Sequence, residues 1–231
     1  MKKENRLFPL VLIFSLFFLW AISSNLLPTM IRQLMKTCEL NAFEASFTET
    51  AYWLAYFIFP VPIAMYMKRF SYKSGIILGL LLASFGGFLF FPAAIIKSYW
   101  AYLGIFFIIA TGMCFLETAA NPYVTVLGDP STASRRLNLA QSFNGLGAFV
   151  SAMFLSKMIL SGHHYTRETL PADYAGGWEA YIQFETDSMK QPYLMLALLL
   201  LVIAVVFVIC RLPKIPEEEN KQNKTGKLIN P

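Results

Sequence analysis

The sequence predicts an all-α membrane protein with six transmembrane helices, and three observations support this fold class. Of the 231 residues, 56% are hydrophobic and 14% are charged, whereas soluble domains carry about 25% charged residues. Mean hydropathy is +0.52. The apolar residues form continuous stretches without the alternation that marks β-barrel strands. Stretches near the length of about 20 residues needed to cross a bilayer lie at 8–31, 47–67, 75–96, 100–127, 137–160 and 192–210.

The first stretch follows the basic start "MKKENR" and therefore imitates a secretory signal peptide. Because five further apolar stretches follow it, we interpret it as the first membrane helix. The third and sixth stretches contain no charged residue. We expect a transmembrane domain over residues 1–211 with one long loop at 162–191, and a polar linker or tail over residues 212–231.

The basic residues predict the orientation of the chain. If the N-terminus is inside, 13 of the 19 Lys and Arg residues lie on the cytoplasmic side, as the positive-inside rule requires. We therefore expect a multi-pass protein of a bacterial-type inner membrane, with both termini in the cytoplasm. The same bias accounts for the net charge of +5 without a nucleic-acid partner.

No motif in the sequence indicates an enzyme, a metal site or a cofactor. The three cysteines are scattered without a CxxC pair, and the pair His163-His164 has no further ligands nearby in the sequence. A nucleophile elbow, a P-loop and an HExxH motif are all absent. We expect neither catalysis nor a bound cofactor.

A carboxylate interrupts the fourth apolar stretch within "FLETAANPYVTVLG", residues 115–128. An ionised carboxylate in hydrocarbon is costly, so Glu117 must face a polar cavity, pair with another group or stay protonated. Asn121 lies four residues later and shares its helix face. Glu117 could carry a coupling proton or act as a protonated strut between helices. Intramembrane acids are more often functional, which favours the first alternative.

The fifth stretch carries a polar stripe at helical spacing. Amide side chains donate and accept hydrogen bonds, which suits the hydroxyl groups of a sugar. The alternative is that amides and small residues hold membrane helices together. Glu117 in the preceding stretch favours a cavity face. The stripe comprises Asn138, Gln141, Asn144, Ala148 and Ser151, with Gly145 and Gly147 beside it, where they would allow close backbone approach.

A weak internal repeat at an offset of 96 residues relates Asn25 to Asn121 and Ser46-Phe47 to Ser142-Phe143. It places the first span on the fourth and the second on the fifth, as a three-plus-three repeat would. Both leading spans also carry a proline shortly after the asparagine, at Pro28 and Pro122. Interrupted helices at corresponding positions of two repeats indicate a transporter's midplane site.

Aromatic and acidic residues in the first two spans are weaker candidates. Trp20 could stack on a sugar ring, or it could be an ordinary packed membrane tryptophan. Glu49 lies near the predicted outer end of the second span, with Trp53 and Tyr56 on roughly the same face. We interpret Glu49 as a solvated residue at the mouth of the protein, because an acid near the interface can reach water.

Long motifs give the chain a family resemblance. The segments "FLETAANPYVTVLG", "RRLNLAQSFNGLGA" and "YFIFPVPIAMYMKRFSYKSGI" resemble the fucose–galactose–glucose:proton symporters of the major facilitator superfamily. The resemblance covers all six predicted spans. It implies the N-terminal half of a twelve-helix fold, in which two six-helix halves surround a sugar cavity that opens alternately to each side.

The resemblance also implies roles for individual residues. Glu117 matches the fourth-helix glutamate associated with proton coupling and sugar binding. Gln141 and Asn144 match fifth-helix amides that contact sugar, and Trp20 and Asn25 match cavity positions of the first helix. Asn121 and Asn138 join this predicted sugar-binding set because they share helix faces with its members.

Two departures from the family pattern limit what the resemblance implies. Pro28 stands where the family has a first-helix aspartate, so this half lacks a two-carboxylate relay. The loop "MKRFSYK" keeps only the basic part of the superfamily signature. We expect a proton-linked hexose or deoxyhexose transporter that needs a second six-helix half or a second copy. The alternative is a non-transporting assembly or regulatory remnant.

Overall fold

The computed structural model describes residues 7–160, 162 and 165–210, and over these residues the chain is helical and contains no strand. The predicted tail at 212–231 and the pair His163-His164 lie outside the described residues. The helices are α1 (Leu7–Thr37), α2 (Ala42–Ile58), α3 (Pro60–Arg69), α4 (Tyr72–Ile96), α5 (Tyr99–Val126), α6 (Ala133–Val150), α7 (Ser156–Ile159) and α8 (Gly177–Ile209).

The helices form a bundle around α5 and α1. Helix α4 packs between α5 and α8, α2 packs on α5, and α1 contacts α2, α5, α6 and α8. Small residues bring α4 and α5 together: a Cβ on Gly112 would lie 2.6 Å from the carbonyl oxygen of Gly79. Such close approach is the usual way in which membrane helices associate, because lipid provides no hydrophobic driving force between them.

Within the described part of the chain, α1, α4, α5 and α8 are each long and apolar enough to cross a membrane, and α2 with α3 forms a fifth span bent by 42°. The bend lies where Pro60 follows Phe59, since a proline lacks the amide that would continue the helical hydrogen bonds. The fifth predicted span, 137–160, corresponds to α6 and α7, and its polar stripe lowers its hydropathy. The predicted all-helical membrane fold is confirmed.

One π-helical turn, Ser151–Leu155, joins α6 to α7. On its first residue, the Ser151 hydroxyl donates to the Ile22 carbonyl at 3.3 Å. Beyond the turn, the hydroxyls of Ser156 and Thr29 lie 2.9 Å apart. The wider turn therefore keeps polar side chains directed at α1 on both sides of it, a register that a regular α-helix would lose.

Helices α1 and α8 extend well beyond the predicted spans, to 31 and 33 residues. At 1.5 Å per residue these are about 46 and 50 Å long, against about 30 Å of hydrocarbon. The prediction of a loop over 162–191 is therefore wrong from Gly177 onward. The reason is an apolar helical face of Tyr181, Ile182 and Met189, which is buried against the bundle.

A buried ion pair fixes these extensions to each other, and we call its three residues, Gln33, Lys36 and Glu185, the α1–α8 clasp. The Glu185 carboxylate is fully buried, accepts from Lys36 Nζ at 2.5 Å, and accepts from Gln33 Nε2 at 2.5 Å. Beside it, Arg167 and Trp178 donate to Glu39 and hold the pKa of its carboxyl below the usual range.

The prolines of the predicted repeat do not interrupt their helices. Both α1 and α5 continue through Pro28 and Pro122. The preceding amides behave alike: Asn25 Nδ2 donates to the carbonyl four residues earlier at 2.8 Å, and Asn121 Nδ2 does so at 3.1 Å. Equivalent positions of the two three-helix units thus share one local hydrogen bond, although neither helix breaks there.

Candidate functional site

Glu117 lies in the second half of α5 and is half-buried. Its carboxylate has no hydrogen-bond or ion-pair partner among the residues that the structure describes. Asn121, one turn later, donates to the backbone carbonyl of Glu117 and not to its side chain. The carboxyl group is therefore free to exchange a proton or to receive a hydrogen bond from a bound molecule.

An aromatic group from two helices lies close to this carboxyl group. Trp20 of α1 is half-buried, and its indole Nε1 donates to the Tyr56 hydroxyl of α2 at 2.8 Å. Tyr56 stacks on Tyr52 with ring centroids 5.6 Å apart. Both tyrosines are near enough to Glu117 to interact with it electrostatically. Trp20 is thus linked through Tyr56 to the surroundings of Glu117, and a sugar site at this position stays a prediction.

The polar stripe of α6 divides into two parts. Asn144 and Ser151 face α1, where the Asn144 amide approaches the Phe17 carbonyl at 3.5 Å and Ser151 contacts Ile22. Gly147 lies between them in close contact with the Phe18 carbonyl. Gly145 has open space around it, so the expectation of close approach holds at Gly147 and is wrong at Gly145. This part of the stripe holds α6 against α1.

The other three predicted amides lie on the surface of the chain. Asn138 and Gln141 on α6 and Asn25 on α1 are exposed. Within the described ranges, the side chains of Asn138 and Gln141 have no hydrogen-bond partner, and Asn25 bonds only within its own helix. The helices α1, α5 and α6, which carry the predicted polar residues, contact one another. Contact of the three exposed amides with a sugar stays a prediction.

Sequence reasoning missed the role of Tyr52 and underrated Tyr56. The signal was present in "AYWLAY", because tyrosines four residues apart share one helix face. Glu49, by contrast, is exposed beside Trp53 on α2, where both line a shallow groove. The prediction that Glu49 is solvated agrees with this position.

The fold and this arrangement have counterparts among known proteins. The family model described as "Major Facilitator Superfamily" matches residues 10–230. The chain belongs to the Major Facilitator Superfamily. Consistent with this, the solved structure of a Major Facilitator Superfamily transporter, FucP, in the outward conformation superposes with a TM-score of 0.79 at 39% identity, covering 92% of this chain and 51% of that one.

Curated relatives within the superfamily include sugar transporters. The L-fucose-proton symporter of Escherichia coli (strain K12) is 40% identical over 86% of this chain and 46% of its own length. The glucose/galactose transporter of Brucella abortus biovar 1 is 38% identical over 85% of this chain and 44% of its own. The chain therefore spans about half the length of the curated relatives it matches.

As a superfamily member the chain is a multi-pass membrane protein, and its family consists of transporters. The superposition on FucP covers one half of that transporter. Trp20, Glu117, Asn121 and Asn144 all belong to α1, α5 and α6 of this half-fold.

Proposed function

We propose that this chain provides the N-terminal six-helix half of a proton-linked sugar transporter of a bacterial inner membrane. The observation that carries the proposal is Glu117, an unpaired carboxyl group half-buried in α5. It occurs in a chain 40% identical to an L-fucose-proton symporter. The substrate would be a hexose or a deoxyhexose, the coupling ion a proton, and both termini would face the cytoplasm.

Glu117 would take up and release the coupling proton. An acid held away from water and without a fixed partner binds a proton readily and can lose it when a cavity opens to solvent. The neighbouring aromatic pair, Trp20 and Tyr56, would supply a flat face and a hydroxyl group to a sugar ring. Loss of the proton from Glu117 would remove the hydrogen bond that the protonated acid donates to the sugar.

The amides would select the sugar. Gln141, Asn138 and Asn25 are exposed and offer both donors and acceptors to hydroxyl groups. Asn121 and Asn144 are half-buried and would form the deeper part of the same surface. An opposing wall, from a second six-helix half or a second copy of the chain, would complete the site.

A sugar-binding screen by thermal shift tests this proposal on the purified chain. L-fucose, D-galactose and D-glucose are compared with sorbitol, which has similar hydroxyl groups but no ring. We expect at least one ring sugar to raise the melting temperature, and Gln141→Ala to reduce the shift. Ser142→Ala, one residue along and equally exposed, serves as the matched control and should leave it unchanged.

Two outcomes would count against the proposal. If none of the three sugars stabilises the chain, either as a monomer or as a crosslinked pair, the non-transporting remnant becomes the better account. If a sugar binds equally well to the wild type, to Gln141→Ala and to Asn138→Ala, the sugar site lies elsewhere.

A further inference from the structure

At the C-terminal end of α5, each of the last four backbone carbonyls accepts a hydrogen bond from outside the helix, since these carbonyls have no partner within it. The Tyr123 carbonyl accepts from Leu127 N at 3.1 Å, and the Val126 carbonyl from Gly128 N at 2.9 Å. The two between them, Val124 and Thr125, accept from one side chain on the next helix, Arg136.

Arg136 binds these carbonyls through two separate nitrogens. Its Nε donates to the Val124 carbonyl at 3.0 Å and its Nη2 to the Thr125 carbonyl at 2.6 Å. A cation in this position also complements the partial negative charge at the end of a helix. The guanidinium group of Arg136 is thus the C-terminal cap of α5, although it belongs to α6.

The third nitrogen of Arg136 binds the connection between the helices. Nη1 donates to the Asp129 carbonyl at 2.9 Å and to the Thr132 hydroxyl at 2.5 Å. Gly128 has φ +140° and lies so close that a Cβ there would be 2.9 Å from Nη1. The backbone therefore wraps around the guanidinium group, and only glycine fits easily at this point.

The cap made by Arg136 is close in sequence to two residues of the proposed sugar surface. Val124 follows Asn121 by three residues on α5, and Arg136 precedes Asn138 by two on α6. We infer that Arg136 is a positioning residue, which sets the separation and relative rotation of α5 and α6 at the proposed sugar site. The inference rests on the proposed function for its consequence in sugar binding.

Arg135, the preceding residue, provides a matched control for changes at Arg136. Arg135 is exposed and has no hydrogen-bond or ion-pair partner among the described residues. A change at Arg135 removes the same charge from the same helix turn without touching α5. Arg136→Lys is an intermediate test, because a compact ammonium group cannot reach two carbonyls and the connection in the same fork geometry.

The test measures helix separation and sugar affinity in the same chain. Spin labels at two exposed positions, Val126 on α5 and Leu139 on α6, are introduced after replacing the native cysteines. Pulsed dipolar spectroscopy then gives the distance distribution in lipid nanodiscs. We expect a narrow distribution for the wild type and Arg135→Gln, a broad one for Arg136→Gln, and an intermediate one for Arg136→Lys.

Sugar binding provides the second measurement. For the sugar that the wild type binds, we expect Arg136→Gln to raise Kd about tenfold, because sugar-binding groups that are no longer held in place must be ordered on binding. We expect Arg135→Gln to leave Kd unchanged. An unaltered distance distribution in Arg136→Gln would overturn the inference, as would a broadened distribution with unchanged Kd. If the wild type binds no sugar, the proposed function fails, and the distance distributions still decide whether Arg136 sets the geometry of α5 and α6. If Arg136→Gln does not fold, the same two measurements are compared between Arg136→Lys and Arg135→Gln. A distance distribution for Arg136→Lys as narrow as that for Arg135→Gln would then overturn the inference.

Discussion

At the scale of single residues, Glu117 is the group on which the proposed mechanism depends. It is half-buried in an apolar helix, and the described residues provide its carboxylate with no partner. A purely structural strut would be expected to bond a neighbouring helix, because an unpaired polar group in a membrane is costly. The lack of a partner for the Glu117 carboxylate among the described residues therefore favours a role in proton transfer.

Glu117→Gln should separate sugar exchange from proton coupling. In a reconstituted assembly that transports sugar, we expect this variant to exchange labelled for unlabelled sugar but not to accumulate sugar against its gradient. The reason is that the amide resembles a permanently protonated acid. Glu49→Gln, which alters an exposed acid on α2, should retain accumulation. If pH-driven accumulation survives in Glu117→Gln, another group provides the coupling.

At the scale of helices, α1 is held to α6 by a close contact at one glycine. A Cβ on Gly147 would collide with the backbone carbonyl of Phe18, whereas Gly145 faces open space. Gly147→Ala should therefore lower the free energy of unfolding by about 1–3 kcal/mol, the cost of overpacking. Gly145→Ala should be neutral or raise it, by up to about 1 kcal/mol, because alanine favours the helix. Unfolding in mixed micelles measures both, and equal effects would show that this packing is wrong.

The α1–α8 clasp makes a second prediction at this scale. Replacing one partner of a buried ion pair leaves the other charge uncompensated, so Glu185→Ala should lower the free energy of unfolding by about 3 kcal/mol. Glu179, exposed on the first turn of α8, is the control, and Glu179→Ala should change it by less than about 0.5 kcal/mol. A neutral Glu185→Ala would mean that the carboxylate is not buried with Lys36.

These elements also show how far sequence reasoning reaches. The charge-free spans were predictable because hydropathy alone defines them. The clasp was not, because Glu185 is buried only when Lys36 arrives from a helix 149 residues away in sequence. For Asn144 the sequence left sugar contact and helix–helix contact as alternatives. The cap made by Arg136 was hidden, since its acceptors include backbone carbonyls, which no side-chain pattern reveals.

At the scale of the whole molecule, the arrangement of charge predicts topology. The six spans (α1, α2 with α3, α4, α5, α6 with α7, and α8) alternate in direction, so the connection between α7 and α8 lies at the end of the bundle opposite to Arg136 and the start of α1. The positive-inside rule then predicts that this connection is outside. Thr166 is exposed. A single cysteine introduced at Thr166 should react with an impermeant maleimide that is added to the outer side of the inner membrane. Reaction from the cytoplasmic side alone would contradict the predicted orientation.

The polar residues on α1, α5 and α6 lead us to expect that this chain has a partner. Amides exposed to lipid would have unpaired hydrogen-bonding groups, so we expect an opposing wall to cover them. The relatives are about twice as long as this chain, and in this fold the halves are related by an axis along the membrane normal. Six helices can satisfy their own backbone hydrogen bonds, but they cannot enclose a sugar or alternate access to it.

The most direct test is pH-driven uptake of L-fucose, D-galactose and D-glucose into proteoliposomes at graded protein density, with crosslinking to report the oligomeric state. We predict background uptake wherever only monomers are found, and saturable uptake dependent on the pH gradient only where the chain is paired with a second copy or a complementary half. Saturable, stereoselective uptake by a proven monomer would contradict the account.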